Sequence, residues 1–231
     1  MMSRVRPLAL FALAATGLSG RPVRLAAQVA GLPVRNAGIG TGIGIAADVG
    51  FPNAAAGKGT AFGATGALGA GPLGVTASVS RDDPKDSQAF WSVGGTANLK
   101  IFGGPLIPVS VTLQAGAARS SQAATSIEGD ALTLRSWHVP VGVGLALTIP
   151  NPAFSIKPWL APRLDLVRTT QSAAGTASEV SHTDKHFGIS GGVDLGFLSG
   201  LSVRVMYDRL MAGGGVHPSV LSLGLGLRVG T

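Results

Sequence analysis

The sequence predicts an all-β protein: about ten antiparallel strands closed into a transmembrane barrel. Three observations carry this expectation. Apolar residues alternate with small ones at a period of two, polar segments of unequal length separate the alternating runs, and aromatic residues gather near the ends of those runs. A helix would scatter the two alternating sets around its circumference, whereas a strand sends them to opposite faces. The 231 residues include 35 glycines and 14 prolines, many inside apolar stretches where they suit no helix interior. High hydropathy with a strand period points to a sheet that meets lipid.

The chain opens differently. Arg4 and Arg6 precede LALFALAATGL, an apolar run of secretory-signal length followed by small residues. Residues 1–27 are therefore expected to be a signal peptide cleaved after Ala27, with Gly20 as the alternative site, and residues 28–231 to be the barrel domain. Four of the 18 basic residues precede Ala27, leaving 14 against 11 acidic, a net of +3. No basic run interleaved with aromatics is present, so no nucleic-acid partner is expected. The absence of cysteine excludes disulfides and thiolate metal sites.

The first alternating run, GIGTGIGIAADVGF, places Ile39, Thr41, Ile43, Ile45, Ala47 and Val49 on one face and mainly glycine on the other. Further strands are expected to begin near Thr60, Leu73, Ala89, Ile107, Leu134, Ile156, Phe187, Leu201 and Val220. In VPVGVGLALTIP, Val139, Val141, Val143, Leu145, Leu147 and Ile149 alternate with His138, Pro140, Gly142, Gly144, Ala146 and Thr148. Such a strand has a greasy face for lipid and a small-residue face for a narrow barrel interior.

Tight AGP, GGPL, PNP and LSG turns take every second connection, and longer polar segments (52–59, 81–88, 119–133, 168–186 and 211–219) take the rest. That is the arrangement of a transmembrane barrel with short periplasmic turns and longer extracellular loops, and an even strand count leaves both termini in the periplasm. Within the two longest segments, SIEGDALTL and QSAAGTASEV read as continued hairpin projecting beyond the membrane. Phe51, Phe62, Phe90, Trp91, Trp137, Phe187 and Tyr207 fall near the outer ends of strands, and Phe102, Phe154, Trp159 and Phe197 near the inner ends, as two aromatic girdles would.

The C-terminal SLGLGLRVGT resembles the terminal-strand signal of bacterial outer-membrane proteins: Ser222 as the polar position, Gly224, then Leu227 and Val229 as alternating apolar positions, without a terminal aromatic. The chain thus resembles a small member of the outer-membrane β-barrel family. The resemblance implies an outer-membrane location, with membrane lipids and the barrel-assembly machinery as partners.

The polar residues that stand out lie on the inward parity of neighbouring strands: Arg163 and Asp165 in APRLDLV, Asp194 in GGVDLGF, and Arg204 and Asp208 in LSVRVMYDR. Lone charges in a confined lumen are costly, so Arg163 and Arg204 are expected to bridge the three carboxylates and hold the lumen largely closed. The same charges could otherwise form a selectivity ring. Lys100, Lys157 and Arg228 face inward near the periplasmic end and would make that mouth cationic.

In SHTDKH, His182, Asp184 and His186 share one face of an extended chain, short of a convincing metal set. Asp184 and His186 resemble the Asp-His pair of the omptin outer-membrane proteases, with Asp82 and Asp83 as the opposing acidic pair. Adjacent residues of a strand point to opposite faces, however, which such a cleft does not allow. The resulting expectation is a non-enzymatic barrel without cofactor or metal, structural or passively permeable, with a surface-interaction module as the rival reading and a hydrolase as the third.

Overall fold

A computed structural model describes residues 29–104, 107–125, 131–173, 179–212 and 214–230. The expected signal peptide and the tips of the two longest hairpins, Gly129 and Gly175 included, lie outside these residues. The strands are β1 (Gly42–Pro52), β2 (Gly59–Ala70), β3 (Leu73–Pro84), β4 (Phe90–Phe102), β5 (Val109–Thr125), β6 (Ala131–Leu147), β7 (Ile149–Pro150), β8 (Phe154–Ala173), β9 (Glu179–Phe197), β10 (Leu201–Met211) and β11 (Ser219–Val229). The two-residue β7 pairs only with β8. The other ten form a closed antiparallel ring, in which each pairs with its sequence neighbour, β6 pairs with β8 and β1 pairs with β11. Closure satisfies backbone groups that hydrocarbon cannot.

The burial pattern is inverted relative to a soluble protein. Asp165, Asp208, Ser80 and Ser222 are 0% exposed, whereas Ile43, Leu164 and Leu225 are 63–64% exposed. In β6 the parity follows the sequence: Val141, Leu145 and Leu147 point out, while His138 and Ala146 are buried inside. Two aromatics depart from the girdle reading. Phe90 and Trp159 are buried on the inward face, 6% and 5% exposed, so the girdles are built from the remaining rings.

The end where β1 begins and β11 ends is called the base, and the opposite end the crown. Connections at the two ends differ little in length, because β5 and β6 reach 17 residues, and β8 and β9 reach 20 and 19, against 11–13 for the other six. Most of what reads as long polar loop at 119–133 and 168–186 is strand, a wall of four strands rising past the others.

The run GIGTGIGIAADVGF is strand only from Gly42. Residues 29–41 leave the base, fold back into the lumen and run toward the crown. Ile39 is therefore 8% exposed inside the barrel, on the opposite side of the wall from the lipid face its parity predicts. The segment turns at Val29–Leu32, where the Leu32 N–H donates to the Val29 carbonyl at 3.4 Å and Gly31 takes a φ of 74°. A Cβ at Gly31 would also lie 2.4 Å from the Ala61 Cβ.

Candidate functional site

The lumen is where polar chemistry collects, and small inward residues create the space for it. Gly50, Gly63, Gly74 and Gly144 line the path of residues 29–41: a Cβ at Gly144 would fall 2.0 Å from the Asn36 carbonyl oxygen, at Gly50 2.1 Å from the Gly31 oxygen, at Gly63 2.3 Å from Leu32 Cδ1 and at Gly74 2.6 Å from Ile39 Cβ. A second set leaves room for long charged side chains. A Cβ at Gly142 would sit 2.6 Å from Arg163 Cβ, and at Gly224 2.0 Å from Asp48 Oδ1. The near-empty inner face is filled by another part of the same chain and by ion pairs.

One cluster joins β6, β8 and β10. Arg163, 4% exposed, donates from Nε to Asp165 Oδ1 at 3.1 Å and from Nη2 to Asp208 Oδ1 at 2.8 Å. His138 Nε2 lies 2.7 Å from Asp165 Oδ1. The second oxygen of Asp208 accepts the Val34 backbone N–H at 2.9 Å. One carboxylate thereby ties the lumen segment to the wall, and it is fully buried together with Asp165.

Arg204 and Asp194 do not join that cluster as expected. Although Arg204 and Asp194 are register partners on β10 and β9, Arg204 forms a two-pronged pair with Asp48 of β1, with Nε 2.7 Å from Oδ1 and Nη2 in short contact with Oδ2. Asp194 pairs instead with Arg35 of the lumen segment. The expected bridge of three carboxylates by two arginines is thus corrected: the charges divide into a cluster around Arg163 and two pairs, because Asp48 and Arg35 supply partners from outside β8–β10. Asp48 was legible as the one charge on the inward parity of its run. Arg35 was not, since nothing in its surroundings marks residues 29–41 as an insert.

Toward the base, Lys157, Arg228 and Arg35 border a cavity of about 400 Å³ together with Asp48, Asp194 and Arg204. Arg228 donates to the carbonyls of Gly40 and Thr41, clasping the point where the segment enters. Lys100 is a half-buried inward residue of β4. Further along the segment, Gln114 Nε2 donates to the Arg35 carbonyl at 2.9 Å and Ser80 Oγ to the Ala30 carbonyl at 2.8 Å. In the terminal strand, Ser222 is buried inward and Gly224 packs against the Arg204–Asp48 pair, while Leu227 and Val229 face outward, 38% and 66% exposed.

The remaining candidates do not assemble. His182 Nε2 lies 2.9 Å from Asp184 Oδ1 at an exposed site, and among the described residues no group of three or more potential ligands converges on a metal position. Asp82 is buried in the lumen wall, and its neighbour Asp83 faces out.

The closed ring with its apolar outer face agrees with a comparison of the sequence: residues 11–228 match the outer membrane protein beta-barrel domain family. The chain belongs to this family. Solved structures similar to it include the N-terminal β-barrel domain of Pseudomonas aeruginosa OprF, at 12% identity over 82% of this chain and 98% of that one with a TM-score of 0.39. The translocator domain of the autotransporter NalP from Neisseria meningitidis is similar at 12% identity over 82% and 90%, with a TM-score of 0.47. Neisserial surface protein A is similar at 16% identity over 82% and 98%, with a TM-score of 0.41. Among curated proteins no match is found. As a bacterial outer-membrane barrel, the protein meets lipid with its outward Leu, Ile and Val residues.

Proposed function

We propose that this outer-membrane barrel is closed to solute flow and serves as a structural, non-enzymatic element of the envelope, its crown facing the cell exterior and its base the periplasm. The observation that supports this reading is the passage of residues 29–41 through the lumen, held to the wall through Asp208, Asp194, Gln114, Ser80 and Arg228. A bore narrow enough to be filled by side chains in small barrels is here filled by side chains and backbone together. Of the charges that border the residual cavity beside the segment, Arg35 pairs with Asp194 and Arg204 with Asp48.

Planar-bilayer recording tests the proposal. The full chain should be silent or nearly so, and deletion of residues 29–37 should open a steady conductance. Strong conduction by the full chain would overturn the closed-barrel reading. A second reading, a surface module that holds a partner, is favoured by the four-strand wall of β5, β6, β8 and β9. Shortening that wall would then abolish partner binding and leave the barrel's stability intact.

A further inference from the structure

We infer that the base of the lumen holds a binding site for a phosphate group. The cavity of about 400 Å³ beside the lumen segment is bordered by four cations, Arg35, Lys157, Arg204 and Arg228, and by two carboxylates, Asp48 and Asp194. Arg204 pairs with Asp48 and Arg35 with Asp194, so Lys157 and Arg228 have no ion pair of their own among the described residues. Lys157 is the register partner of Asp194, yet Arg35, Arg228 and Lys100 of β4 are all near enough to repel it. Four cations thus crowd around one carboxylate.

The surplus is confined to this end of the bore. Charged residues buried nearer the crown are Asp82, Arg163, Asp165 and Asp208, one cation against three carboxylates. Cations held together in a narrow, partly dry space repel one another, at a cost that a bound counter-ion removes. A cleft lined by one sign of charge also concentrates ions of the other sign. Inward residues at the base, Lys100, Lys157 and Arg228 among them, are half-buried rather than sealed off, so water-borne anions reach them from that end.

The wall supplies both space and donors. A Cβ at Gly196 would lie 2.9 Å from Ser155 Oγ, and one at Gly226 2.7 Å from Ser202 Oγ; these glycines make room for two hydroxyls that line the cavity. Arg35 Nε is buried without a hydrogen-bond partner. Arg228 gives Nη1 to the Gly40 and Thr41 carbonyls, while its Nη2 stands 3.6 Å from where a Cβ of Gly44 would be. Ammonium, guanidinium and hydroxyl groups therefore approach from β8, β10, β11 and the lumen segment, an arrangement suited to a tetrahedral dianion with oxygens on every side. One acceptor narrows the choice further. Asp194, 8% exposed, has its Oδ1 buried and unpartnered, and a monohydrogen phosphate has an O–H to donate to it where a sulfate has none.

The test is isothermal titration calorimetry on the full chain in maltoside micelles, with inorganic phosphate as one probe and dihexanoyl phosphatidic acid as the other. Phosphate should saturate a single site with a Kd below about 1 mM, and sulfate should bind several-fold more weakly. Lys157→Gln removes a cation that holds neither the segment nor a carboxylate; it should weaken binding by about tenfold or more, and Lys157→Arg should restore most of the loss. Lys58→Gln with Lys85→Gln, exposed cations of the crown connections, should change nothing. In a chain without cysteine, Ser202→Cys places one thiol in the cavity wall, and the saturating probe should slow its labelling by a water-soluble reagent; this keeps the test available if Lys157→Gln does not fold. Saturation by inorganic phosphate, whether or not the lipid binds, marks the free anion as the ligand, and saturation by phosphatidic acid alone marks a lipid headgroup reaching over the rim. The proposal is overturned if neither probe saturates a site, if sulfate binds as tightly as phosphate, if Lys157→Gln binds like the parent, if the connection variant loses as much, or if the Ser202→Cys thiol labels equally fast with and without the probe. Conductance plays no part in these readouts, so failure of the site leaves the closed-barrel reading standing.

Discussion

Arg163 joins the wall of the barrel to its contents. Its guanidinium serves Asp165 and Asp208, both without solvent exposure, and Asp208 in turn accepts the Val34 N–H of the lumen segment. Removing one partner of a buried ionic cluster strands the other charges, at a cost of about 3–5 kcal/mol. Arg163→Met should therefore destabilise the barrel by that amount in urea titrations in lipid vesicles. Arg135→Met is the comparison, because Arg135 and Glu179 form an exposed pair at 3.7 Å worth about 1 kcal/mol or less. Equal losses in the two variants would show that the Arg163 cluster is not energetically buried. Arg204→Ser leaves Asp48 unpaired but does not remove the segment, so its conductance should stay close to that of the full chain. That revises the sequence-based picture of Arg204 as part of a single plug.

At the scale of elements, the lumen segment and the glycines beneath it form one design. Gly144 has no room for a Cβ against Asn36, so Gly144→Val should push the segment away from β6. The chain contains no cysteine, and a single Ala37→Cys thiol reports the displacement: buried in the parent, it should label with a water-soluble reagent much faster in the Gly144→Val background. Unchanged labelling would mean that the glycine accommodates something other than the segment. The strands themselves were readable because lipid on one side and a confined bore on the other impose a strict period of two, as in Val139 to Leu147. The lumen segment was not readable. Ile39 and Thr41 continue the same alternation as Ile43 and Ile45, and only Gly42, with a φ of 99° and no space for a Cβ beside the Gly230 and Val229 carbonyls, marks where strand gives way to insert. Partners as distant as Arg35 and Asp194 arise from that reversal, which local pattern does not encode. Phe90 and Trp159 were placed by their nearness to strand ends, a criterion that ignores parity.

For the whole molecule, orientation and closure are the testable properties. Epitope tags inserted at Gly129 and Gly175 should label on intact cells, and a tag at Gly104, in the connection between β4 and β5, should label only after the outer membrane is permeabilised. The reverse pattern would invert the topology proposed for the crown and the base. Closure rests on residues 29–41 lying inside the ring, and oxidative cross-linking tests this most directly. Ala37 and Ala146 of β6 belong to one buried cluster inside the ring, while Leu145, the neighbour of Ala146, faces lipid. In the folded barrel, Ala37→Cys paired with Ala146→Cys should form a disulfide detectable by mass spectrometry, and Ala37→Cys paired with Leu145→Cys should not. If the first pair stays unlinked while both of its thiols react freely with a water-soluble label, the segment lies outside the lumen and the closed-barrel account is contradicted.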